Sequence, residues 1–297
     1  MPTLDGKDVK ITVATGTCTV CGKCVQICPC EYLAVAAGQV AERKDPAMGC
    51  ITCGQCAAIC PTGAIQVEAE GLAYDDVFAF PPGKMATHAE LLRLMTNRRS
   101  IRQFLDKPVP EDVVDQILEA AQQAPAGLPP STVRAFVVNG KEDVRALAFD
   151  FLDQVGKMSW MFSMAGIWVL RPFMSAKMHQ EMREKIAPLY RGLLDGRQQG
   201  KDYLFYDASL VMIFTDSRDA ADAVIACTYA MIAAESLGLG SCMIGTVTPM
   251  LPRVSAAFKE MHGLTGTTQH GLAIVFGYPK VEFRRAVRRR FAGIMSC

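Results

Sequence analysis

Cys18, Cys21, Cys24 and Cys28, followed by Pro29, read C-x2-C-x2-C-x3-C-P, and Cys50, Cys53, Cys56 and Cys60, followed by Pro61, repeat that run 32 residues later. Nine of the twelve cysteines fall within the first sixty residues. Cysteines this dense either staple a small fold or hold metal. The start, MPTLDGKDVKITV, has no apolar signal core, and no later apolar stretch is long enough to cross a bilayer. The chain is therefore expected to be cytoplasmic, where reducing conditions disfavour disulfides and favour metal. A net charge of +1 points to neither nucleic acid nor an anionic membrane as partner.

Spacing separates the metals. Structural zinc sites take ligands as two separated pairs, and three cysteines at successive i+3 steps leave one too many for a tetrahedral ion. The repeated run is the established spacing of bacterial two-cluster ferredoxins, in which the fourth cysteine serves the other cluster. Over about residues 10 to 70 the segment resembles a 2x(4Fe-4S) ferredoxin. Carried over by position, that resemblance implies Cys18, Cys21, Cys24 and Cys60 around one cluster and Cys50, Cys53, Cys56 and Cys28 around the other. Gly22, Gly54 and Gly63 suit loops that turn backbone N–H groups towards cluster sulfurs. Cys30 is a ninth cysteine where the second repeat has Thr62, and is read as a buried bystander. A ferredoxin domain stores and passes single electrons, so the rest of the chain must hold whatever uses them.

After Val67 the character changes. Residues 68 to 90 carry acidic, Gly and Pro residues without a sustained period, as a connection would. Helical patterning follows, with Leu91, Leu92 and Met95 on one face and Val113, Val114, Ile117, Leu118 and Ala121 on the next helix before Pro125. VRAFVVNG (133–140), SLVMIFTD (209–216) and LAIVFGYP (272–279) read as strands, and the nearly all-apolar 220–237 as a central helix.

NRRSIRQF, at 97 to 104, sets three arginines and a serine between a helix and a Pro-containing turn. Guanidinium forks bind oxyanions bidentately, so the cluster suits a phosphate; a solvated basic helix end is the bland reading. RRSIRQF, then APAGLPPS (124–131), LGLGSCMIG (237–245) and FGYP (276–279) come in the order seen in FMN-dependent nitroreductases, and residues 90 to 290 resemble that family. The resemblance implies an α+β fold: a ferredoxin-like two-cluster domain over 1–70, a linker over 71–90, and a nitroreductase-type flavin domain over 91–297 with an antiparallel-rich sheet flanked by helices. It also implies FMN contacts from Arg98, Arg99, Ser100 and Arg102, from Pro129, Pro130 and Ser131 of the partner subunit of a homodimer, and from the backbone at Met243, Ile244 and Gly245. Arg289, with Arg288 second, is expected against the FMN phosphate.

Residues 156 to 182 are dense in Met, Trp and Phe, which reads as helical core or as an apolar lid over a planar substrate. His88, His179, His262 and His270 show no paired spacing, and Cys227, Cys242 and Cys297 are expected to be free thiols. No catalytic acid or base stands out.

The resulting expectation is an FMN-dependent oxidoreductase in which two 4Fe-4S clusters feed FMN, which reduces a nitroaromatic, quinone or activated alkene. A ferredoxin or other one-electron donor is the expected partner, with NADH or NADPH as a transient donor stacking directly on the flavin. Three alternatives stand beside it: a dehydrogenase donating electrons to ferredoxin, a reductive dehalogenase or flavin-fragmenting relative, and an electron-transfer subunit without substrate.

Overall fold

The computed structural model describes residues 8–46, 48–127, 129 and 131–295. The chain divides into two compact units, one comprising 1–85 with 126–132 and the other 86–125 with 133–297. The division falls inside the stretch read as a connection, and the short 126–132 segment returns to the first unit.

In the first unit β1 (Val9–Val13) pairs antiparallel with β4 (Ile65–Ala69), Val9 opposite Ala69 and Val13 opposite Ile65. A hairpin joins β2 (Leu33–Ala36) to β3 (Gln39–Glu42) through Ala37 and Gly38, both at positive φ, as the twist of a two-residue turn demands. Two one-turn helices, α1 (Lys23–Ile27) and α2 (Gln55–Ala58), start after Gly22 at φ 73° and Gly54 at φ 66°. The duplication seen in the sequence is repeated in the backbone. Val20 and Thr52, 32 residues apart, sit at φ 55° and 54°, a region that β-branched residues rarely enter and that the surrounding loop must impose. Val9, Cys30, Tyr32, Leu33, Val40, Ile65 and Val67 form a small core between these elements.

The second unit is built on a four-stranded antiparallel sheet in the order β5-β6-β8-β7, with β5 Arg134–Asn139, β6 Leu210–Thr215, β7 Gly240–Ile244 and β8 Gly271–Gly277. Every residue of β6 is buried, because helices cover both faces. On one face Val211, Ile213, Ala273 and Val275 meet α5 (Lys141–Gly156) and α8 (Ala187–Gln198) through Leu147, Phe151, Leu152 and Tyr190. On the other, Leu210, Met212, Phe214, Ile274 and Phe276 meet α4 (Glu111–Gln122) and α9 (Ala221–Ser236). Ala223, Ala226, Ala230 and Ala234 of α9 are buried, and their short side chains let it lie close to both the sheet and α4. The expected α+β class and antiparallel sheet are present. Strand β7 and helix α5 had no sequence assignment: β7 is a short Gly-started run inside a glycine-rich motif, and α5 has a charged, weakly periodic pattern.

α3 (His88–Asn97) has a reciprocal cap: Thr87 Oγ1 accepts from the Glu90 N–H at 3.3 Å, and Glu90 Oε2 accepts from the Thr87 N–H at 2.8 Å. The face expected to be apolar is so, but Leu91, Leu92 and Met95 are 43, 48 and 43% exposed. Among the described residues no helix is long and apolar enough to cross a membrane.

Candidate functional site

The eight cysteines gather as two groups of four. Cys18, Cys21, Cys24 and Cys60 line one cavity with Thr19, Gly22, Lys23, Thr62 and Ala64. Cys28, Cys50, Cys53 and Cys56 line the other with Cys30, Tyr32, Ile51 and Gln55. Each group takes three cysteines from one repeat and the fourth from the other. The fourth cysteines are held alike: the Tyr32 N–H donates to Cys28 Sγ at 3.4 Å and the Ala64 N–H to Cys60 Sγ at 3.2 Å.

The donor set in each cavity is four thiols. Among the described residues no three Cys, His, Asp or Glu side chains are close enough to hold one metal ion. Four thiols lining one cavity match a cuboidal cluster, which takes one thiolate at each corner. As free thiols several resist ionisation. Burial, reinforced by the neighbouring Cys50 and Cys53, pushes Cys56 up to about 12, and burial raises Cys24 and Cys50 as well. Burial also acts on Cys60, but hydrogen bonds from Thr62, Ala64 and Ile65 outweigh it and lower that thiol. Iron would supply the positive charge that keeps such buried sulfurs as thiolates.

In the second unit NRRSIRQF runs from the end of α3 along the sheet edge. The Arg98 N–H closes α3 on Leu94 O, the Ile101 N–H donates to Ser241 O at 2.9 Å, and the Lys280 N–H donates to Gln103 O at 3.0 Å. Isolated bridges join Ser100 to Ser241 and Phe104 to Pro279. This extended path divides the side chains. Ser100 and Arg102 lie at the buried Cys242 thiol, which also feels Arg98. Arg98 is within electrostatic reach of Arg289, Arg99 and Glu235; burial and the two like charges lower its pKa, while Glu235 opposes them. Three cations crowded around one carboxylate, one of them the part-buried Arg98 guanidinium, make a place where an anion would be stabilised. Arg99 donates to Arg98 O at 2.8 Å and lines a cavity of about 360 Å³ with Asn97, Glu235, Arg284 and Arg285. Arg288 is exposed on the same tail as Arg289.

Met243 and Ile244 end β7, an edge strand, and Gly245 follows with open space around its Cα. Pro129 and Ser131 belong to the segment that joins the first unit, and Pro130 lies outside the described residues. Cys227 is buried, and Cys297 lies outside the described residues. His262 pairs with Asp150 at 3.0 Å and packs on Phe258.

Two groups of the 202–207 loop, which meets Arg102 through Tyr206, had no sequence signal. The Tyr206 ring stands 5.9 Å from the Arg102 guanidinium, with Tyr206 at φ 60° and Asp207 at φ 52°. Asp202 holds this loop: buried to 5% exposure, it accepts the N–H groups of Leu204, Phe205 and Asp207 at 2.8 to 3.0 Å. The only trace in the sequence is an Asp without a glycine beside it.

Residues 156–182 are largely helical, including α6 (Met164–Leu170) and α7 (Ala176–Glu181), and a π-helical turn over 182–186 links α7 to α8. Phe162 and Ile167 are core. Trp160, Met164, Trp168, Val169 and Phe173 are instead 53 to 86% exposed, so helical core accounts for only part of the stretch.

The nitroreductase family profile matches residues 95–278. The chain belongs to the nitroreductase family. A 4Fe-4S dicluster domain profile matches residues 10–61. The FMN reductase (NAD(P)H) of Bacillus subtilis is 32% identical over 158 residues, 53% of this chain and 55% of the relative, so the match spans about half the length of that protein. A nitroreductase with bound FMN from Bacteroides fragilis superposes with a TM-score of 0.52 at 20% identity, covering 70% of this chain and 98% of that one. A nitroreductase with bound FMN from Desulfitobacterium hafniense gives 0.50 at 20% identity over 71% of this chain and 100% of that one. Both share the fold of the second unit. The chain thus joins a nitroreductase-family domain to a 4Fe-4S dicluster domain.

Proposed function

We propose that this nitroreductase-family protein binds FMN non-covalently at the Arg98 cluster and two 4Fe-4S clusters at the two thiol cavities, and uses them to reduce an organic acceptor. The observation that carries the flavin reading is the crowding of Arg98 and Arg289 around a part-buried position with Ser100 and Arg102 alongside. A phosphate dianion there would relieve the repulsion between the arginines and accept their forks bidentately. When bound, the clusters supply single electrons and FMN supplies hydride transfer.

The chain's own residues do the rest. Arg98, Arg289 and Ser100 anchor the phosphate end; Arg102, steadied by Tyr206, reaches the polar edge of the ring; and the edge of β7 at Met243, Ile244 and Gly245 offers backbone donors to it. Arg99 and Arg288 add positive potential around the phosphate, and Pro129, Pro130 and Ser131 of a second copy flank the ring. The exposed apolar side chains from Trp160 to Phe173 act as an adaptable cover, which suits a nitroaromatic, quinone or activated alkene. Among the described residues of this site the carboxylate is Glu235, which faces Arg98 and Arg99 at the phosphate end, so protons are taken to come from water.

The exposed face of Leu91, Leu92 and Met95 supports a homodimer, since an apolar helix face gains by being covered. A ferredoxin or similar one-electron carrier is the proposed donor to the clusters, with NADH or NADPH as a transient donor at the flavin face. Anaerobic reoxidation of the photoreduced protein by a panel of acceptors tests the assignment. Rapid two-electron turnover with at least one of the three classes supports it, and inertness towards all of them contradicts it.

A further inference from the structure

The duplication allows the two thiol cavities to be compared position by position, and most of the differences run one way. Thr62 and Cys30 occupy the same place, two residues after the fourth cysteine. Thr62 lines the first cavity, its Oγ1 3.7 Å from Cys60 Sγ. A sulfur bound to iron carries no proton, so in that pair the hydroxyl must donate. Cys30 lines the second cavity at 2% exposure, packed with Tyr32 and Leu33, and a thiol is only a weak donor. Thr19 and Lys23 line the first cavity where the repeat sets Ile51 and Gln55 at the second. Cys21 is exposed where its counterpart Cys53 is part-buried, but Cys24 is buried where Cys56 is part-buried, so the thiols themselves do not differ one way. In the walls Thr19 and Thr62 are exposed where Ile51 is part-buried and Cys30 buried.

The amides to the fourth cysteines are matched and cancel. One contact counts the other way: the Thr52 N–H donates to Cys50 Sγ at 3.4 Å. The Thr52 hydroxyl is buried without a hydrogen-bond partner among the described residues, and Thr52 is not among the residues lining either cavity. One amide and the burial of Cys24 are therefore set against a hydroxyl, an ammonium-bearing side chain and a more exposed wall. Lys23 is itself exposed and its charge is screened, yet the hydroxyl and the difference in exposure remain when it is set aside.

Reducing a cluster adds one negative charge, which donors to sulfur, nearby cations and water stabilise and an apolar wall does not. We propose that the two cluster sites are unequal in reduction potential. The site of Cys18, Cys21, Cys24 and Cys60, with Thr62 as donor, takes up an electron before the site of Cys50, Cys53, Cys56 and Cys28, which is walled by Cys30. Each step is the uptake of one electron from an external reductant, with no bond made or broken. The inference rests on the cluster assignment of the proposed function and not on transfer to FMN.

Stepwise anaerobic reduction of the full-length protein by dithionite with redox mediators, followed by electron paramagnetic resonance, tests it. Two separate cluster steps are expected. Thr62→Val should lower only the higher-potential step, Thr62→Ser should leave it in place, and Cys30→Thr should raise only the lower step and narrow the gap. Cys30→Thr also gives an independent reading if Thr62→Val fails to hold iron. Reduction of both clusters in a single step, or movement of the lower step by Thr62→Val, overturns the inference. Iron analysis separates the two levels of claim. A protein with about eight irons and coincident potentials contradicts only the inequality, whereas one with zinc and no iron contradicts the cluster assignment beneath it.

Discussion

Ile101 packs against Gly240 so closely that a Cβ added at 240 would stand 2.5 Å from Ile101 Cγ1 and 2.8 Å from its Cβ. Glycine is therefore what lets the arginine-bearing segment seat on β7, with the Ile101 N–H bonded to Ser241 O. Gly240→Ala should cost about 1–3 kcal/mol by overpacking, because the atoms it meets include the branched Cβ rather than a flexible tip. The same change should weaken FMN retention by displacing Arg98 and Ser100. Denaturant unfolding with parallel FMN titration checks both effects, and an unchanged midpoint and affinity would mean the segment is free to shift.

Arg98 and Arg289 are expected to act on the flavin together. Removing either guanidinium should cost about 1.5–3 kcal/mol of FMN binding, the range for a charge-assisted hydrogen bond, or roughly ten- to a hundredfold in Kd. Arg99→Ala, at the neighbouring cavity, should cost less than Arg98→Ala. Fluorescence titration of the apoprotein with FMN gives the order, and a larger loss from Arg99→Ala would relocate the phosphate.

Asp202 should be a structural support for Arg102 at one remove. Asp202→Ala strips three buried or part-buried N–H groups of their acceptor and should destabilise the protein by about 3 kcal/mol or more. Asp202→Asn retains an oxygen for the Leu204 and Phe205 amides while losing the acceptor for Asp207, so its penalty should be smaller. Urea unfolding of the two variants would show equal losses if the loop were held by other contacts.

The resemblance implied a three-plus-one grouping of the cysteines, and the two cavities are lined in that grouping; that they hold clusters is part of the proposed function. Strands β5, β6 and β8 were legible from their β-branched runs. Strand β7 was hidden because its one glycine, Gly240, serves close approach to Ile101 and not a turn, and α5 because its charged face dilutes its period. Tyr206 and Asp202 left no sequence signal, since Tyr206 meets Arg102 only through a loop about a hundred residues away from it, which Asp202 holds. The aromatic stretch from Trp160 to Phe173 could not be divided into core and surface by composition alone. Only the packing of Phe162 and Ile167 inward and of Trp168 and Phe173 outward separates them.

The exposed face of α3 should be an interface between copies. Leu92→Glu is expected to shift the protein towards monomer in sedimentation velocity and to lower its FMN content, because Pro129, Pro130 and Ser131 would then be lost from the flavin. Full FMN occupancy in a stable monomer would contradict this arrangement.

The most direct test of the relay is anaerobic stopped-flow spectroscopy of the full-length protein against a Cys24→Ser, Cys56→Ser variant, with a reduced one-electron carrier as donor. Cluster bleaching is expected to precede FMN reduction in the native protein, and the variant, short of intact clusters but still loaded with FMN, is expected to reduce its flavin far more slowly. FMN reduction at the same rate in both proteins would contradict the relay.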